Sequence, residues 1–301
     1  MKSAPLRFFN RSTRKIEIEA IYGERWLRWA YENPLGRLTT WMIARRWIFS
    51  AYYGWRMSLS DSGRRVFPFI VAYNLDVDEF VKSAFAFRTF NEFFTRALKP
   101  SARPIAEPRN ERLAVFPADG RHLAFDNVDE AEGFYVKGAK FTLRNLLADD
   151  ALGEKFAGGS MLISRLCPVD YHRFHFPVAG MPDDGRPING WLYSVNPIAL
   201  RRNVQRLVQN KRRVTLLDDT VFGQVAMLEV GATNVGTIVE TYVPQRRATK
   251  GEEKGMFKFG GSCVITLFQK NRIRIDEDVL AQTAAGLETY AKMGDRLGVL
   301  A

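Results

Sequence analysis

The sequence predicts an α+β protein, with a helical N-terminal region over residues 1–105 and a β-rich domain over residues 106–301. Five of the six tryptophans fall between Trp26 and Trp55, in segments with helical periodicity. Near residue 110 the texture changes to short β-type runs punctuated by turn residues. With 301 residues, 46% of them apolar and 26% charged, the chain can bury a full core and has the length of about two domains.

Residues 22–100 read as helical, with Pro34 and Gly36 separating a first helix from a second. Trp41, Ala44, Ile48, Ala51, Tyr52 and Trp55 share one helical face, with Arg45 and Arg56 at its edge. Aromatics flanked by arginines suit a helix lying in a membrane interface; the plainer alternative is a helix packed on its own core. The stretch "FRTFNEFFTRALKPSARPI" (87–105) predicts one more helix, ended by Pro100. Strands are predicted in "LAVFPA", "GSMLISRL", "GWLYSVN", "RRVTLLDD", "GQVAMLEVG", "VGTIVETYV" and "SCVITLFQ". The tail from Asp276 combines a short helical pattern with a glycine-bounded end.

The balance of 44 Lys and Arg against 33 Asp and Glu gives a net charge of +11, which favours an anionic partner. The run "RRNVQRLVQNKRR" (201–213) could contact lipid phosphates or nucleic acid, but its default reading is a solvated helix face, and no nucleic-acid-binding motif accompanies it. Two cysteines, Cys167 and Cys263, make no disulfide framework and fit a reducing compartment. Apolar runs fall short of a membrane span and the N-terminus lacks a secretory apolar core, so a cytoplasmic location is expected.

Three histidines carry most of the chemistry available. His172 and His175 lie in "CPVDYHRFHFPVAG" (167–180), where Pro168 and Pro177 predict extended or turning chain. Cys167, Asp170, His172 and His175 could ligate a metal, but no paired Cys-x-x-Cys or His-Glu-x-x-His supports one. A sharper set is Asp119 in "FPADG", His175 and Ser262: a carboxylate to orient a base, and a base to activate a hydroxyl. The Gly-x-Ser-x-Gly elbow of a hydrolase is absent. Instead Gly260-Gly261 stands directly before Ser262, exposing a carbonyl that the serine of the same chain could attack.

Together "FGGSCVI", "PADG", "DYHRFHFPVAG", "LYSVNPIAL", "FNEFFTRALKPSARPI" and "FGQVAMLEVGATNVGTIVETY" resemble the phosphatidylserine decarboxylases, pyruvoyl-dependent proenzymes that process themselves. The resemblance covers roughly residues 60–300 and implies a cut between Gly261 and Ser262, leaving large and small chains. It implies His175, oriented by Asp119, as the base for Ser262, whose residue becomes the pyruvoyl cofactor. That group would form a Schiff base with phosphatidylserine and release CO2 and phosphatidylethanolamine, with His172 reprotonating Cα. Family members commonly have threonine or serine after the processed serine; here it is Cys263. The implied partners are the lipid and an anionic membrane surface, with peripheral attachment at the cytoplasmic face through the helical region. Pairing of two copies is left open. Two rival readings remain: a diverged or processing-defective lipid-binding relative, and a serine hydrolase using the same three residues.

Overall fold

The structure is a computed structural model that describes residues 5–21, 23–44, 46–130, 142–200, 205–232, 238–260 and 262–301. Its strands, in chain order, begin with β1 (Arg7–Asn10), β2 (Lys15–Ile18), β3 (Leu113–Val115), β4 (Gly120–Phe125) and β5 (Ser160–Leu166). They continue with β6 (Arg173–His175), β7 (Met181–Pro182), β8 (Arg186–Ile188), β9 (Arg212–Asp218), β10 (Val225–Val230) and β11 (Ile238–Glu240). The last are β12 (Glu253–Phe257), β13 (Ser262–Phe268), β14 (Ile273–Ile275), β15 (Glu288–Ala291) and β16 (Arg296–Leu300).

A ten-stranded sheet runs β2-β1-β15-β4-β5-β13-β10-β9-β7, with β8 also on β9. Two three-stranded sheets, β11-β12-β6 and β14-β16-β3, complete the β structure of the described residues. In β13 the alternate residues go to two cores, as a pleated strand buried on both faces requires. Val264 and Phe268 pack with Phe174 and Phe257 of a smaller sheet and with Phe176 beside it, whereas Cys263, Ile265 and Leu267 join the opposite core with Leu146 and Leu147. One buried ion pair ties a small sheet to the large one. Lys254 Nζ on β12 donates to Glu229 Oε2 on β10 at 2.9 Å and to Glu240 Oε1 on β11 at 3.1 Å.

The helical region is present, but shorter in its pieces than its periodicity predicts. Helix α1 (Glu24–Glu32) turns at Asn33, whose side chain caps α2 (Pro34–Thr39) by accepting from the N–H groups of Leu35 and Gly36. Gly36 is needed there, because a Cβ would lie 1.9 Å from the Trp29 carbonyl oxygen. A π-helical turn over 40–44 and a break at extended Arg46 separate α2 from α3 (Trp47–Met57), so the tryptophan stripe does not lie on one helix. Trp41, Ile48, Ala51, Tyr52 and Trp55 nevertheless all face outward, which removes the plain reading of a stripe buried in its own core. Arg45 and the Ala44 side chain lie outside the described residues.

After α4 (Val66–Tyr73) comes α5 (Phe90–Phe94), only five residues long, so the helix expected over 87–105 is a correction. Thr89 caps it, the Thr95 hydroxyl bonds back to the Asn91 carbonyl, and Leu98 then bridges to Phe80 in extended chain. Burial of Phe90, Phe93 and Phe94 on three sides outweighs continuation of the helix. Residues 7–18 are also not helical: β1 and β2 form a hairpin whose β1 runs parallel to β15 at the edge of the large sheet. "GWLYSVN" forms only a single bridge, Trp191 to Asn210.

Candidate active site

The joint in front of β13 is held from both sides. The N–H of Phe257, the last residue of β12, donates to the His172 carbonyl at 3.0 Å. The Phe259 N–H donates to Asn91 Oδ1 of α5 at 2.9 Å, and the Phe259 ring sits 4.9 Å from that of Phe94. Gly260 then takes φ 137°, a conformation that excludes a side chain. Gly261 lies outside the described residues. Ser262 opens β13 opposite Leu166 of β5, on the face it shares with Val264. Its hydroxyl is fully buried and has no hydrogen-bond partner.

Both histidines of the "HRFH" segment present a bare nitrogen. His172 Nδ1 is 3.0 Å from the Asp170 carbonyl oxygen, and His175 Nδ1 is 3.0 Å from the Gly251 carbonyl oxygen. A carbonyl accepts only, so each Nδ1 carries the proton and each Nε2 keeps its lone pair. Among the described residues neither Nε2 has a partner in full hydrogen-bond geometry, although the Gly260 backbone lies close enough to His172 to favour its protonated form. Burial pushes His172 down to about 3 and also lowers His175, so both are neutral bases at neutral pH. Their surroundings differ. The charges of Glu253 and Asp119 favour an imidazolium at His175 against that of Arg173, whereas at His172 the Arg96 charge opposes one and only the Asp170 and Gly260 backbone favours it.

His122 is structural: its Nδ1 meets Ser164 Oγ at 2.9 Å, and burial pushes it down to about 3. These shifts carry a stability prediction. A histidine whose folded pKa lies below its unfolded value of 6.5 contributes stability that is present above that value and lost as the pH falls. Between pH 6.5 and 5.5, His122 and His172 should each remove about 1 kcal/mol. Urea midpoints should therefore drop steadily from pH 7 to 5, and a flat profile would contradict the buried neutral state.

Asp119 stands where the "PADG" turn enters β4, and the His175 N–H donates to the Pro117 carbonyl of that turn at 2.7 Å. The turn is fixed by Gly120, where a Cβ would come within 2.5 Å of the Arg165 carbonyl oxygen. The Asp119 carboxylate is taken by Arg103 Nε and Nη2, at 2.8 and 2.6 Å, and by the Met293 N–H at 2.9 Å. In the uncut chain it reaches His175 through its charge rather than through a hydrogen bond, and His175 makes no bond to Ser262. The serine, the two histidines and the aspartate therefore lie on neighbouring elements without a closed relay.

Sequence reading missed Arg103, the partner of Asp119, and Gly251, the carbonyl that sets the His175 tautomer. Arg103 lies in the "FTRALKPSARPI" segment; Gly251 carries no signal beyond being a glycine in a polar stretch. Cys263 is buried on the opposite face from Ser262, and burial pushes its thiol up to about 12, so it stays protonated. Both cysteines are free.

A family model described as phosphatidylserine decarboxylase matches residues 90–299, more than half of the chain. The phosphatidylserine decarboxylase proenzyme of Clostridium kluyveri is 42% identical over 98% of this chain and 99% of its own. The protein of the same name from Clostridium perfringens is 41% identical, over 97% and 99%. That of Chlamydia pneumoniae is 43% identical, over 97% and 96%. Similarity at this level along nearly the whole of each chain means that this chain belongs to the phosphatidylserine decarboxylase family.

Proposed function

We propose that this phosphatidylserine decarboxylase becomes active by its own cut between Gly261 and Ser262, and that residue 262 then carries the pyruvoyl group. The observation that carries this reading is the Ser262 hydroxyl: buried, unpartnered among the described residues and two positions after Gly260, whose φ of 137° is one that side chains rarely adopt.

In the cut, His175 Nε2 takes the Ser262 proton and Oγ attacks the Gly261 carbonyl, exchanging the amide for an ester. Loss of the Cα proton expels the Gly261 carboxylate by β-elimination. The resulting dehydroalanine tautomerises to an imine, and one water converts it to the ketone with release of ammonia. The Asp119 and Glu253 charges make His175 the better holder of the proton during attack. A pyruvoyl group supplies an electron sink for the pair left when CO2 departs. The substrate ammonium must lose a proton before its nitrogen can react. His172 Nε2, neutral and bare, can accept that proton and return it to Cα.

A cavity of about 640 Å³ joins the helical region to this joint, lined by Trp26, Leu27 and Tyr31 of α1, by Tyr53, and by Leu166 and Gly260. An acyl chain lying there would leave the lipid headgroup beside Ser262. No helix of the described residues is long and apolar enough to cross a membrane. The exposed Trp26, Leu38, Trp41, Ile48, Trp55 and Phe67 supply an apolar surface on the helices, and the net charge of +11 supplies attraction to an anionic leaflet. We therefore place the protein peripherally, on a cytoplasmic anionic surface. Replacing Ile48, Tyr52 and Trp55 together by Glu should weaken binding to phosphatidylglycerol vesicles on the order of tenfold or more. Self-cutting should be unaffected, and vesicle sedimentation across a salt series reads the change.

Intact-protein mass spectrometry tests the proposal. Two chains meeting at Gly261/Ser262 are expected, the smaller one lighter than its serine form by one ammonia, with phosphatidylethanolamine formed from phosphatidylserine in mixed micelles. A single full-length chain that still turns over the lipid would overturn the pyruvoyl reading.

A further inference from the structure

A second cavity, of about 330 Å³ and about equally polar and apolar, has walls that include the cations Arg96, Arg121 and Lys292 and the carboxylates Glu79, Asp119 and Asp170. Most of its cations are already matched. Arg103 holds Asp119 and Glu79, Arg121 holds Asp170 at 2.6 Å, and Lys292 holds Glu79 at 3.2 Å. Arg96 is not. It is 5% exposed and has no carboxylate within ion-pair distance among the described residues, so burial disfavours its charge and only the more distant charges of Asp119, Asp170 and Glu79 support it. Its Nη2 makes only long contacts with the carbonyl oxygens of Val169 and Asp170, at 3.4 and 3.5 Å. Its Nε and Nη1 have no partner.

The contrast with Arg212 is instructive. That guanidinium is also buried without a carboxylate, but it donates to the carbonyls of Asn145, Leu146, Val208 and Asn210. A buried cation with unmet donors is destabilising unless something completes it. Arg96 has the Phe80 and Phe93 rings about it, with centroids 5.0 and 4.9 Å from Cζ, and the residue lines the second cavity.

We propose that Arg96 and this cavity form a binding site for a phosphate-type oxyanion, filled during turnover by the phosphodiester of phosphatidylserine. This rests on the decarboxylase reading given above. Two arguments select the phosphodiester over the lipid's other anion, its carboxylate. Arg96 Nη2 and His172 Nδ1 share the Asp170 carbonyl, so an anion on Arg96 lies one residue from the reacting centre. A carboxylate that must leave as CO2 loses its charge, and pairing it with a guanidinium would stabilise the ground state and oppose the reaction. The apolar setting of His172, whose ring centroid is 3.8 Å from that of Phe94, suits the departing carboxylate better. The two cavities are neighbours, with Ala20 and Tyr73 in the walls of both. An anion on Arg96 would also offset the positive field that holds His172 neutral, helping it carry the proton for Cα.

The test uses the purified, self-cut enzyme and its Arg96→Met and Arg96→Lys variants. Without added anion, Arg96→Met should match or exceed the wild-type thermal midpoint, since an unmatched buried charge is replaced by an apolar side chain of similar length. Inorganic phosphate should raise the wild-type midpoint more than chloride at equal ionic strength, and should leave Arg96→Met unmoved. In mixed micelles Arg96→Met should raise KM for phosphatidylserine about tenfold or more, with Arg96→Lys between the two and phosphate competing in the wild type alone. Phosphate stabilisation that needs Arg96, with KM unchanged, would keep the oxyanion site and assign it to free phosphate instead of the lipid. A wild type that binds phosphate through Arg96 but does not decarboxylate the lipid would remove the functional reading and leave the site. No phosphate effect together with an unchanged KM, or a midpoint that collapses in both variants, would overturn the proposal and make Arg96 structural.

Discussion

Ser262→Ala is expected to remain one chain of 34.4 kDa with no measurable decarboxylation. Alanine has no β-oxygen, so neither the ester nor the elimination that follows it can form. Loss of cutting would not be a folding defect. The Ser262 hydroxyl is buried without a partner, so removing it breaks no hydrogen bond and relieves an unsatisfied polar group. The thermal midpoint of Ser262→Ala should therefore equal or exceed that of a wild-type sample still uncut. Cys263 cannot substitute from the next position. Its side chain lies in the core on the far face of β13, beside Ile265, and its thiol is held protonated. Ser262→Cys is the informative companion, because sulfur restores a β-leaving group and some cutting should return. Intact mass decides both variants, and any Ser262→Ala protein found cut at this joint would remove Ser262 from the chemistry.

The β-rich half was legible because its strands announce themselves by composition. β5, β9, β10 and β13 are runs of branched and large apolar residues, and all four lie side by side in the middle of the large sheet. What stayed hidden depends on partners far away in the chain. β12 reads as a polar stretch, "EKGMF", because Lys254 finds Glu229 twenty-five residues upstream and can be buried only there. The hairpin of β1 and β2 needs β15, some 280 residues later, to become a sheet edge. α5 stops after five residues because three phenylalanines are captured by tertiary packing, which helical propensity does not register. The site shows the same division. Ser262, His172, His175 and Asp119 were named from motifs, yet the groups that set their states were not. The carbonyls of Asp170 and Gly251 choose the histidine tautomers, and Arg103 takes the aspartate. Backbone carbonyls carry no sequence signature.

The second large effect separates the two histidines. His175→Ala is expected to leave most of the protein uncut, whereas His172→Ala should cut but lose decarboxylation by about 10²–10⁴. The sequence puts the two three residues apart, and their tautomers and bare Nε2 atoms are alike, so only their surroundings assign the roles. Attack by Ser262 requires a base that tolerates becoming an imidazolium. His175 has the two carboxylates Glu253 and Asp119 to favour that charge against Arg173; the one charge acting on His172, that of Arg96, opposes it. His172 has the better claim to the later step, because its carbonyl receives the Phe257 N–H and its ring lies against Phe94, which keeps it at the joint. Asp119→Asn should slow cutting less than His175→Ala, since Asp119 acts on His175 through charge and not through a hydrogen bond. Cut fraction by mass and CO2 release per cut chain are read on the same samples. Uncut His172→Ala beside normally cut His175→Ala would reverse the assignment, and Arg96 would then be the charge that the self-cutting base must overcome.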